Sequence, residues 1–486
     1  MGVVWEHRVE DGCFAAEGIV YCDHPVAPEL QRLNIYIPES YLTPYALPGH
    51  STVVSHGGRA YLADKAPIVL YNDIGGYAEC RPAPLTLRNR RFLSDGYVLV
   101  SVGARGRQSV DENGCACGKS PAALVDLKAA VRWLRAHKED LPAGDVERII
   151  SVGTSAGGAM SSLLAVTGND PAFDLQLAQI GAVPCERDDI FAAQCYCPIV
   201  DLDHADMAYE WLFGSKTIYA FRPQQLPEVL DPFQRELSHE LALAYPDYVN
   251  GLDLGLALGS DGRSGSYYHA LMDELSRSLD VFLMRNAGTA DECAVLIEEI
   301  DHGAGFIGWD GECARIEDLD AYVRAYLGRK KGCPSFDTFN GTSPENQEFG
   351  SSGAAPGSVY DMSHFSRATM SIIQKTAGRM GDCAHAEIAD VYDRDLAREG
   401  LRRAVDLLNP MVHLAQGRAK AGDVAPHVRI RVGSRDADTS FTVSFNLARA
   451  LERSGTDVDY ALVWGEGHGD ADYPGEFSAW VDSIVK

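Results

Sequence analysis

One serine of this chain stands in a setting typical of a catalytic nucleophile. The segment Gly153-Thr-Ser155-Ala-Gly157 fits the pattern G-x-S-x-G, in which small residues permit a sharp turn from a strand into a helix. Residues 148–152 predict the strand, and the small residues that follow, through Leu164, predict the helix. We therefore expect the Ser155 hydroxyl to project above the sheet edge and attack an acyl carbonyl. The Ala156 N–H, at the helix N-terminus, then faces the developing oxyanion.

A neutral serine needs an imidazole base and a carboxylate that orients it. On a nucleophile elbow the order along the chain is serine, acid, histidine, and the last two stand on loops after late strands. The predicted strand 428–432 is followed by Asp436, and the predicted strand 458–464 is followed by His468 between two glycines. Ser155, Asp436 and His468 are therefore the predicted catalytic residues.

Three other residues compete for these roles. Asp438, two positions after Asp436, is an alternative acid. His302 and His204 are alternative bases, but both precede the acid in the chain, which is the wrong order for this type of site. Asp436 and His468 remain the preferred pair.

A second oxyanion donor is expected on a glycine loop after an earlier strand. The segment Asn72-Asp-Ile-Gly75-Gly76-Tyr77 directly follows the predicted strand 66–71, whereas His56-Gly57-Gly58 precedes that strand. We therefore predict that the N–H groups of Gly75, Gly76 and Ala156 supply the oxyanion hole.

The elements that must position these residues alternate between strands and helices at both ends of the chain. Apolar runs predict strands, and apolar spacing typical of helices separates them. The strands are predicted at 33–37, 66–71, 97–102, 148–152, 428–432 and 458–464, and the helices at 120–137, 156–164, 441–453 and 474–486. This alternation predicts the α/β class, with a mostly parallel sheet covered by helices on both faces.

A long segment interrupts this alternation. Ser155 and Asp436 are 436 − 155 = 281 residues apart, too far for a few strand–helix units. We predict an α/β catalytic domain formed by residues 1–195 and 410–486, and an inserted, mainly helical lid formed by residues 196–409 that carries substrate-binding loops. Within the insertion we expect amphipathic helices at 228–244, 267–284 and 316–327, and a loop rich in Gly, Ser and Pro at 341–358.

The composition of the chain disfavours two classes of partner. The 43 Lys and Arg residues against 69 Asp and Glu residues give a net charge of −26, which disfavours binding to nucleic acid and to anionic membranes. The first ten residues lack the apolar stretch of a signal peptide, and no run of about 18 apolar residues occurs. These patterns predict a cytoplasmic protein.

The chain contains twelve cysteines, among them the C-x-C pairs Cys115/Cys117 and Cys195/Cys197. Neither pair is accompanied by a second cysteine or histidine pair at zinc spacing. We therefore expect free thiols and no bound metal.

Beyond these residues, the chain resembles bacterial tannases of the α/β-hydrolase fold over nearly its whole length. The matching stretches are Gly153-Thr-Ser-Ala-Gly-Gly158, Tyr196-Cys-Pro-Ile199, His204-Ala-Asp-Met-Ala-Tyr-Glu-Trp211, Asn409-Pro-Met411 and Gly433-Ser-Arg-Asp-Ala-Asp-Thr-Ser440. The resemblance implies hydrolysis of galloyl esters and depsides without a metal or an organic cofactor. Fungal-type tannases and feruloyl esterases instead carry a cysteine before the serine and another beside the histidine, whereas this chain has Thr154 and Gly469 there.

The resemblance also implies residues that bind the galloyl hydroxyls. They are Lys331, with Lys330 as the alternative, the pair Pro344-Glu345, and Asp438; Ile199 is implied to pack on the ring. These residue types suit a trihydroxyphenyl ring, because carboxylates accept hydrogen bonds from its hydroxyls and an ammonium group donates to them.

The predicted function is a serine esterase that releases gallic acid through an acyl-serine intermediate. The alternatives are a feruloyl-type or broad carboxylesterase and a catalytically inactive polyphenol-binding protein. A peptidase of the prolyl-oligopeptidase type is disfavoured, because no propeller repeats precede the catalytic elements.

Overall fold

The structure is a computed structural model that describes residues 3–42, 52–55, 57–184, 186–222, 224–415 and 423–485. Its strands are β1 (Glu6–Arg8), β2 (Cys13–Val20), β3 (Arg32–Pro38), β4 (Thr52–Val54), β5 (Ala60–Leu62), β6 (Pro67–Asn72), β7 (Val98–Val102), β8 (Asp145–Thr154), β9 (Ala192–Tyr196), β10 (Ile218–Tyr219), β11 (Glu228–Val229), β12 (Ile307–Trp309), β13 (Ala314–Ile316), β14 (His427–Gly433) and β15 (Asp457–Val463).

Nine of these strands form one sheet, in the order β1-β2-β3-β7-β6-β8-β9-β14-β15. In this order, the six strands β7, β6, β8, β9, β14 and β15 are parallel to one another. Strands β1, β2 and β3 form an antiparallel edge, and β3 pairs with β7 in the antiparallel sense. Every residue of β6 and β7 is buried, because helices cover both faces of a parallel sheet. The predicted mostly parallel α/β sheet is confirmed.

The helices fall into two groups. The first group packs around the sheet and comprises α1 (Leu87–Ser94), α2 (Ala122–Ala136), α3 (Ala156–Val166), α4 (Asp174–Gln179), α14 (Pro410–Leu414), α15 (Phe441–Arg453) and α16 (Glu476–Ile484). The second group lies between β9 and α14 in the chain and comprises α5 (Leu202–Phe213), α6 (Pro232–Gly251), α7 (Gly265–Asn286), α8 (Ala290–Asp301), α9 (Leu319–Tyr326), α10 (Pro344–Glu348), α11 (Arg367–Met380), α12 (Cys383–Leu396) and α13 (Leu401–Leu407).

Two predicted helices of the insertion begin later than the apolar spacing indicated. Residues 228–229 form strand β11, and α6 starts only at Pro232, where Asp231 accepts the Gln234 N–H as an N-cap. Proline favours the first helical position because its missing N–H has no helical partner there. Ile316 likewise ends strand β13, and α9 starts after the Asp318 cap.

Buried phenols connect the insertion to the loop that follows β14. The Tyr209 hydroxyl donates to the Ala437 carbonyl at 3.0 Å, and the Tyr322 hydroxyl donates to the Ser434 carbonyl at 2.6 Å. Both tyrosines are fully buried. The insertion therefore fixes the backbone on either side of Asp436.

No helix in the described part of the chain is both long and apolar enough to cross a membrane.

Candidate active site

Ser155 sits on a sharp, strained turn between β8 and α3. Its backbone angles are φ 60° and ψ −121°, a region that side-chain-bearing residues rarely adopt. A Cβ on Gly153 would lie 2.3 Å from the Gly157 carbonyl oxygen, and one on Gly158 would lie 2.5 Å from the Tyr196 carbonyl oxygen. The glycines are therefore required by the close approach of backbone segments, as a nucleophile elbow demands.

The structure brings three predicted residues into one hydrogen-bonded chain. Ser155 Oγ lies 2.8 Å from His468 Nε2, and His468 Nδ1 lies 2.7 Å from Asp436 Oδ2. The Asp436 carboxylate is fully buried and accepts the Asp438 N–H at 2.9 Å through its other oxygen. This geometry allows the imidazole to take the hydroxyl proton while the carboxylate stabilises the resulting cation.

The loops that carry Asp436 and His468 are fastened to each other. The Gly465 N–H donates to Ser434 Oγ at 3.0 Å, and the Arg435 N–H donates to the Glu466 carbonyl at 2.8 Å. These hydrogen bonds therefore connect the loop of the acid directly to the loop of the base.

The environment of His468 favours its charged form. Burial opposes the charge on the imidazole, but the adjacent Asp436 carboxylate outweighs this effect, so the pKa of His468 is raised above its ordinary value. An imidazole of raised basicity is a stronger acceptor for the serine proton.

The glycine loop after β6 approaches Ser155 from the other side. Gly76 lies in the wall of the same cavity as Ser155 and has φ 54°, a left-handed conformation that glycine adopts freely. The loop is held in place because the Gly157 N–H donates to the Ile74 carbonyl at 2.8 Å. Gly75 precedes Gly76 on this turn, and its carbonyl accepts the Ala78 N–H at 3.0 Å. The rejected candidate His56 lies outside the described residues.

Ser155 and His468 open into a cavity of about 660 Å³ whose far wall is formed by the insertion. All five predicted substrate-binding residues line it, namely Ile199, Lys331, Pro344, Glu345 and Asp438. The hydroxyl of Ser155 and the imidazole of His468 thus line the same cavity as the charged side chains of Lys331, Glu345 and Asp438.

The two adjacent lysines have different surroundings in this cavity. The Lys330 ammonium is ion-paired with Asp438, whereas the Lys331 ammonium lies 3.5 Å from the centroid of the Phe336 ring. Burial lowers the pKa of Lys331, although Glu345 and Asp438 oppose this change. Lys331 therefore lines the cavity together with the carboxylates of Glu345 and Asp438.

Glu345 is held in an ordered element although it lies in the predicted glycine-rich loop. It belongs to the short helix α10, which Ser343 caps by accepting the Asn346 N–H, and it is 5 % exposed. Asn346 in turn donates to Asp337 Oδ1 at 2.7 Å. This buried network holds α10 in place, and Glu345 lines the cavity.

The competing histidines lie elsewhere. His302 is exposed at the C-terminus of α8. His204 stacks on Tyr248 and contacts Asp201 at 3.0 Å. Neither residue lines the cavity.

Sequence reasoning missed one neighbour of the site. Cys197, one residue beyond β9, places its Sγ 3.9 Å from His468 Nε2 and 3.4 Å from the Gly469 carbonyl oxygen. Its C-x-C spacing and the stretch Tyr196-Cys-Pro-Ile199 marked it only as part of a motif. The described cysteines are free thiols.

A family model and two curated esterases match parts of this chain. The family model BD-FAE matches residues 64–207. Two esterases of Mycobacterium tuberculosis match short segments: the probable carboxylic ester hydrolase LipM is 45% identical over 53 residues and the esterase LipC is 33% identical over 109 residues. These segments are 11% and 20% of this chain, and the chain covers only 12% and 27% of the two esterases.

Solved structures match the whole chain. The tannin acyl hydrolase of Lactobacillus plantarum is 33% identical with a TM-score of 0.81, and the match covers 100% of this chain and 97% of that one. The tannase of Fusobacterium nucleatum is 31% identical with a TM-score of 0.80, covering 98% and 95%. A tannin acyl hydrolase in complex with ethyl gallate is 32% identical with a TM-score of 0.79, covering 98% and 94%.

Full-length similarity at this identity, together with an elbow serine backed by histidine and aspartate, establishes the family. This chain belongs to the bacterial tannases, a family of carboxylic ester hydrolases with the α/β-hydrolase fold.

Proposed function

We propose that this enzyme hydrolyses galloyl esters and depsides and releases gallic acid through an acyl-serine intermediate. One observation carries the proposal: the chain of Ser155, His468 and Asp436 opens into the same cavity as Lys331 and Glu345. A reactive acyl carbon and a polyhydroxylated ring can therefore be held at the same time. The ethyl gallate held by a similar tannin acyl hydrolase supports this substrate class.

In the proposed mechanism, His468 Nε2 takes the Ser155 proton as Oγ attacks the ester carbonyl. The Asp436 carboxylate stabilises the imidazolium, and the N–H groups of Ala156 and of Gly75 or Gly76 stabilise the oxyanion. The imidazolium then protonates the leaving alcohol or phenol. Water, activated by the same imidazole, releases gallate from the serine.

Recognition of the ring follows from its hydroxyl groups. Glu345 and Asp438 accept hydrogen bonds from them, Lys331 donates one, and Ile199 packs against the ring face. Pro344 begins α10 and sets the position of the following carboxylate. A ring that lacks a hydroxyl leaves a buried charge without a partner, which such sites reject by roughly 10⁴-fold.

A feruloyl-type or broad carboxylesterase is the competing function. Methyl gallate, methyl ferulate and a short nitrophenyl ester, compared at equal enzyme concentration, separate the two. We expect the largest kcat/KM for methyl gallate and loss of turnover in Ser155→Ala. Equal rates on all three esters would contradict the substrate assignment, and turnover by Ser155→Ala would contradict the nucleophile. Labelling of Ser155 by a fluorophosphonate excludes an inactive binding protein.

A further inference from the structure

A thiol lies next to the candidate general base. Cys197 is fully buried, has φ 34°, and places its Sγ 3.9 Å from His468 Nε2. The proposed hydrolysis does not use this sulfur. The same imidazole nitrogen lies 2.8 Å from Ser155 Oγ, so His468 Nε2 has both the sulfur of Cys197 and the hydroxyl of Ser155 as neighbours.

The spacing of these atoms suits a bridging metal ion. Zinc binds thiolate at about 2.3 Å and imidazole at about 2.0–2.1 Å, so an ion between them separates the two atoms by about 3.6–3.9 Å at angles of about 110–125°. The observed separation of 3.9 Å falls in this interval. Cadmium, with longer bonds, bridges the same gap at a smaller angle.

The neighbours of the imidazole prepare it as a ligand. Asp436 Oδ2 lies 2.7 Å from His468 Nδ1, which directs the lone pair of Nε2 toward Cys197 and Ser155. Carboxylate–histidine pairs of this kind orient metal-binding imidazoles in general. Asp436 would therefore orient the imidazole of such a site without binding the ion itself, although its carboxylate lies within 4.8 Å of Cys197 Sγ and of a ring nitrogen of His468.

We propose that Cys197 Sγ, His468 Nε2 and Ser155 Oγ form an inhibitory site for a thiophilic divalent cation such as Zn²⁺ or Cd²⁺. On binding, the thiol S–H bond breaks, its proton passes to water, and a metal–sulfur bond forms without change of oxidation state. The ion occupies the nitrogen lone pair that must accept the serine proton, so ester hydrolysis stops until a chelator removes the ion. The inhibition, but not the binding, rests on the function proposed for His468.

The test measures binding and activity separately. Cadmium binding is followed by equilibrium dialysis and by the thiolate-to-metal charge-transfer absorbance; activity is followed with methyl gallate, each variant being compared with its own cation-free rate. We expect one ion per chain at this site, inhibition that EDTA reverses, and a half-inhibiting Cd²⁺ concentration at least about tenfold higher in Cys197→Ser. Mg²⁺, which prefers oxygen ligands, should not inhibit.

Two exposed cysteines provide matched controls. Cys313→Ser and Cys383→Ser remove thiols on the surface of the insertion and should leave inhibition unchanged. Equal inhibition of wild type and Cys197→Ser would overturn the proposal, as would loss of inhibition in Cys313→Ser. If Cys197→Ser fails to fold, Cys197→Ala replaces it, with thermal unfolding as the check. If the protein binds Cd²⁺ through Cys197 but does not hydrolyse esters, the proposed function is wrong and the proposed metal site still stands.

Discussion

The ammonium group of Lys330 is ion-paired with the carboxylate of Asp438. Asp438 is therefore shared between a lysine at the cavity edge and any hydroxyl group that binds beside it. The adjacent Lys331 lines the same cavity as Glu345 and Asp438, and under the proposed function it is the lysine that donates to a substrate.

The two lysines should consequently differ in their effect on catalysis. We expect Lys331→Met to lower kcat/KM for methyl gallate about 10- to 150-fold, the equivalent of one charge-assisted hydrogen bond of about 1.5–3 kcal/mol. Lys330→Met should lower it less than about fivefold, since its side chain is about one-third exposed and solvent screens the pair. Steady-state kinetics of both variants decide the matter, and a larger loss in Lys330→Met would reverse the assignment.

Glu345 should set the selectivity for ring hydroxyls. Wild-type enzyme should have a higher kcat/KM for methyl gallate than for methyl protocatechuate and methyl 4-hydroxybenzoate. Glu345→Ala should reduce at least one of these two kcat/KM ratios by about tenfold. In the variant, a missing ring hydroxyl no longer leaves the Glu345 carboxylate without a partner. Glu348→Gln, on the same helix but buried in the interior, is the matched control and should preserve the ratios. Unchanged ratios in Glu345→Ala would remove this residue from the recognition site.

Asp436 should control both the rate and its pH dependence. In the proposed mechanism the neutral imidazole of His468 is the base, so we expect kcat/KM to fall as the pH drops below the pKa of His468, which Asp436 raises. Asp436→Asn should lower kcat by roughly 10⁴-fold and move the acidic limb of the profile to lower pH. Asp438→Asn should keep the limb in place while KM increases. If the acidic limb of the pH profile moves only in Asp438→Asn, then Asp438, and not Asp436, is the aspartate that acts on His468.

The loop that carries Lys331 depends on a buried ion pair. Arg329 and Glu210 are both fully buried and are joined at 2.7 Å, and Arg329 Nε donates to the Lys331 carbonyl at 2.8 Å. Arg329→Met leaves Glu210 without its cation, and we expect a loss of roughly 3–5 kcal/mol in the free energy of unfolding. Arg453→Met, which breaks an exposed pair with Asp253, should cost less than about 1 kcal/mol. The free energy of unfolding of both variants is measured with urea, and an equal decrease in Arg329→Met and Arg453→Met would contradict the prediction.

Asp206 should make stability depend on pH. Burial, with a smaller contribution from Asp337, raises the pKa of Asp206 to about 7. The folded protein therefore holds this proton more tightly than the unfolded chain, so the contribution of Asp206 to stability is complete below about pH 4 and is lost as the pH rises to about 7. The slope reaches at most about 1.4 kcal/mol per pH unit. In Asp206→Asn, the free energy of unfolding measured with urea should no longer fall with this slope between about pH 4 and pH 7.

Much of the catalytic end could be predicted because it depends on local patterns. The elbow at Ser155 follows from a buried apolar strand, small residues and a helix that are adjacent in the chain, and the loops of Asp436 and His468 follow strands of the same kind. Parallel strands bring such loops to one edge of a sheet. The order of residues along the chain was therefore enough to anticipate which groups meet.

Contacts that depend on packing were not predictable in this way. The position of Cys197 Sγ beside His468 requires β9 to lie between β8 and β14, and no residue pattern near Cys197 states that order. The position of the loop that carries Lys330 and Lys331 likewise depends on the buried pair of Arg329 and Glu210, which are far apart in the chain. Helix α6 began late because Pro232 and Asp231 outweighed the apolar spacing before them.

The order of the chain also bears on when hydrolysis can begin. A ribosome completes the elbow of Ser155 long before it reaches β14 and β15, whose following loops carry Asp436 and His468. Strands β14 and β15 are also the ones that extend the sheet beyond β9. A nascent chain that has emerged only as far as the insertion thus has the Ser155 hydroxyl without its proposed base, and the last strands of the sheet are synthesised together with His468.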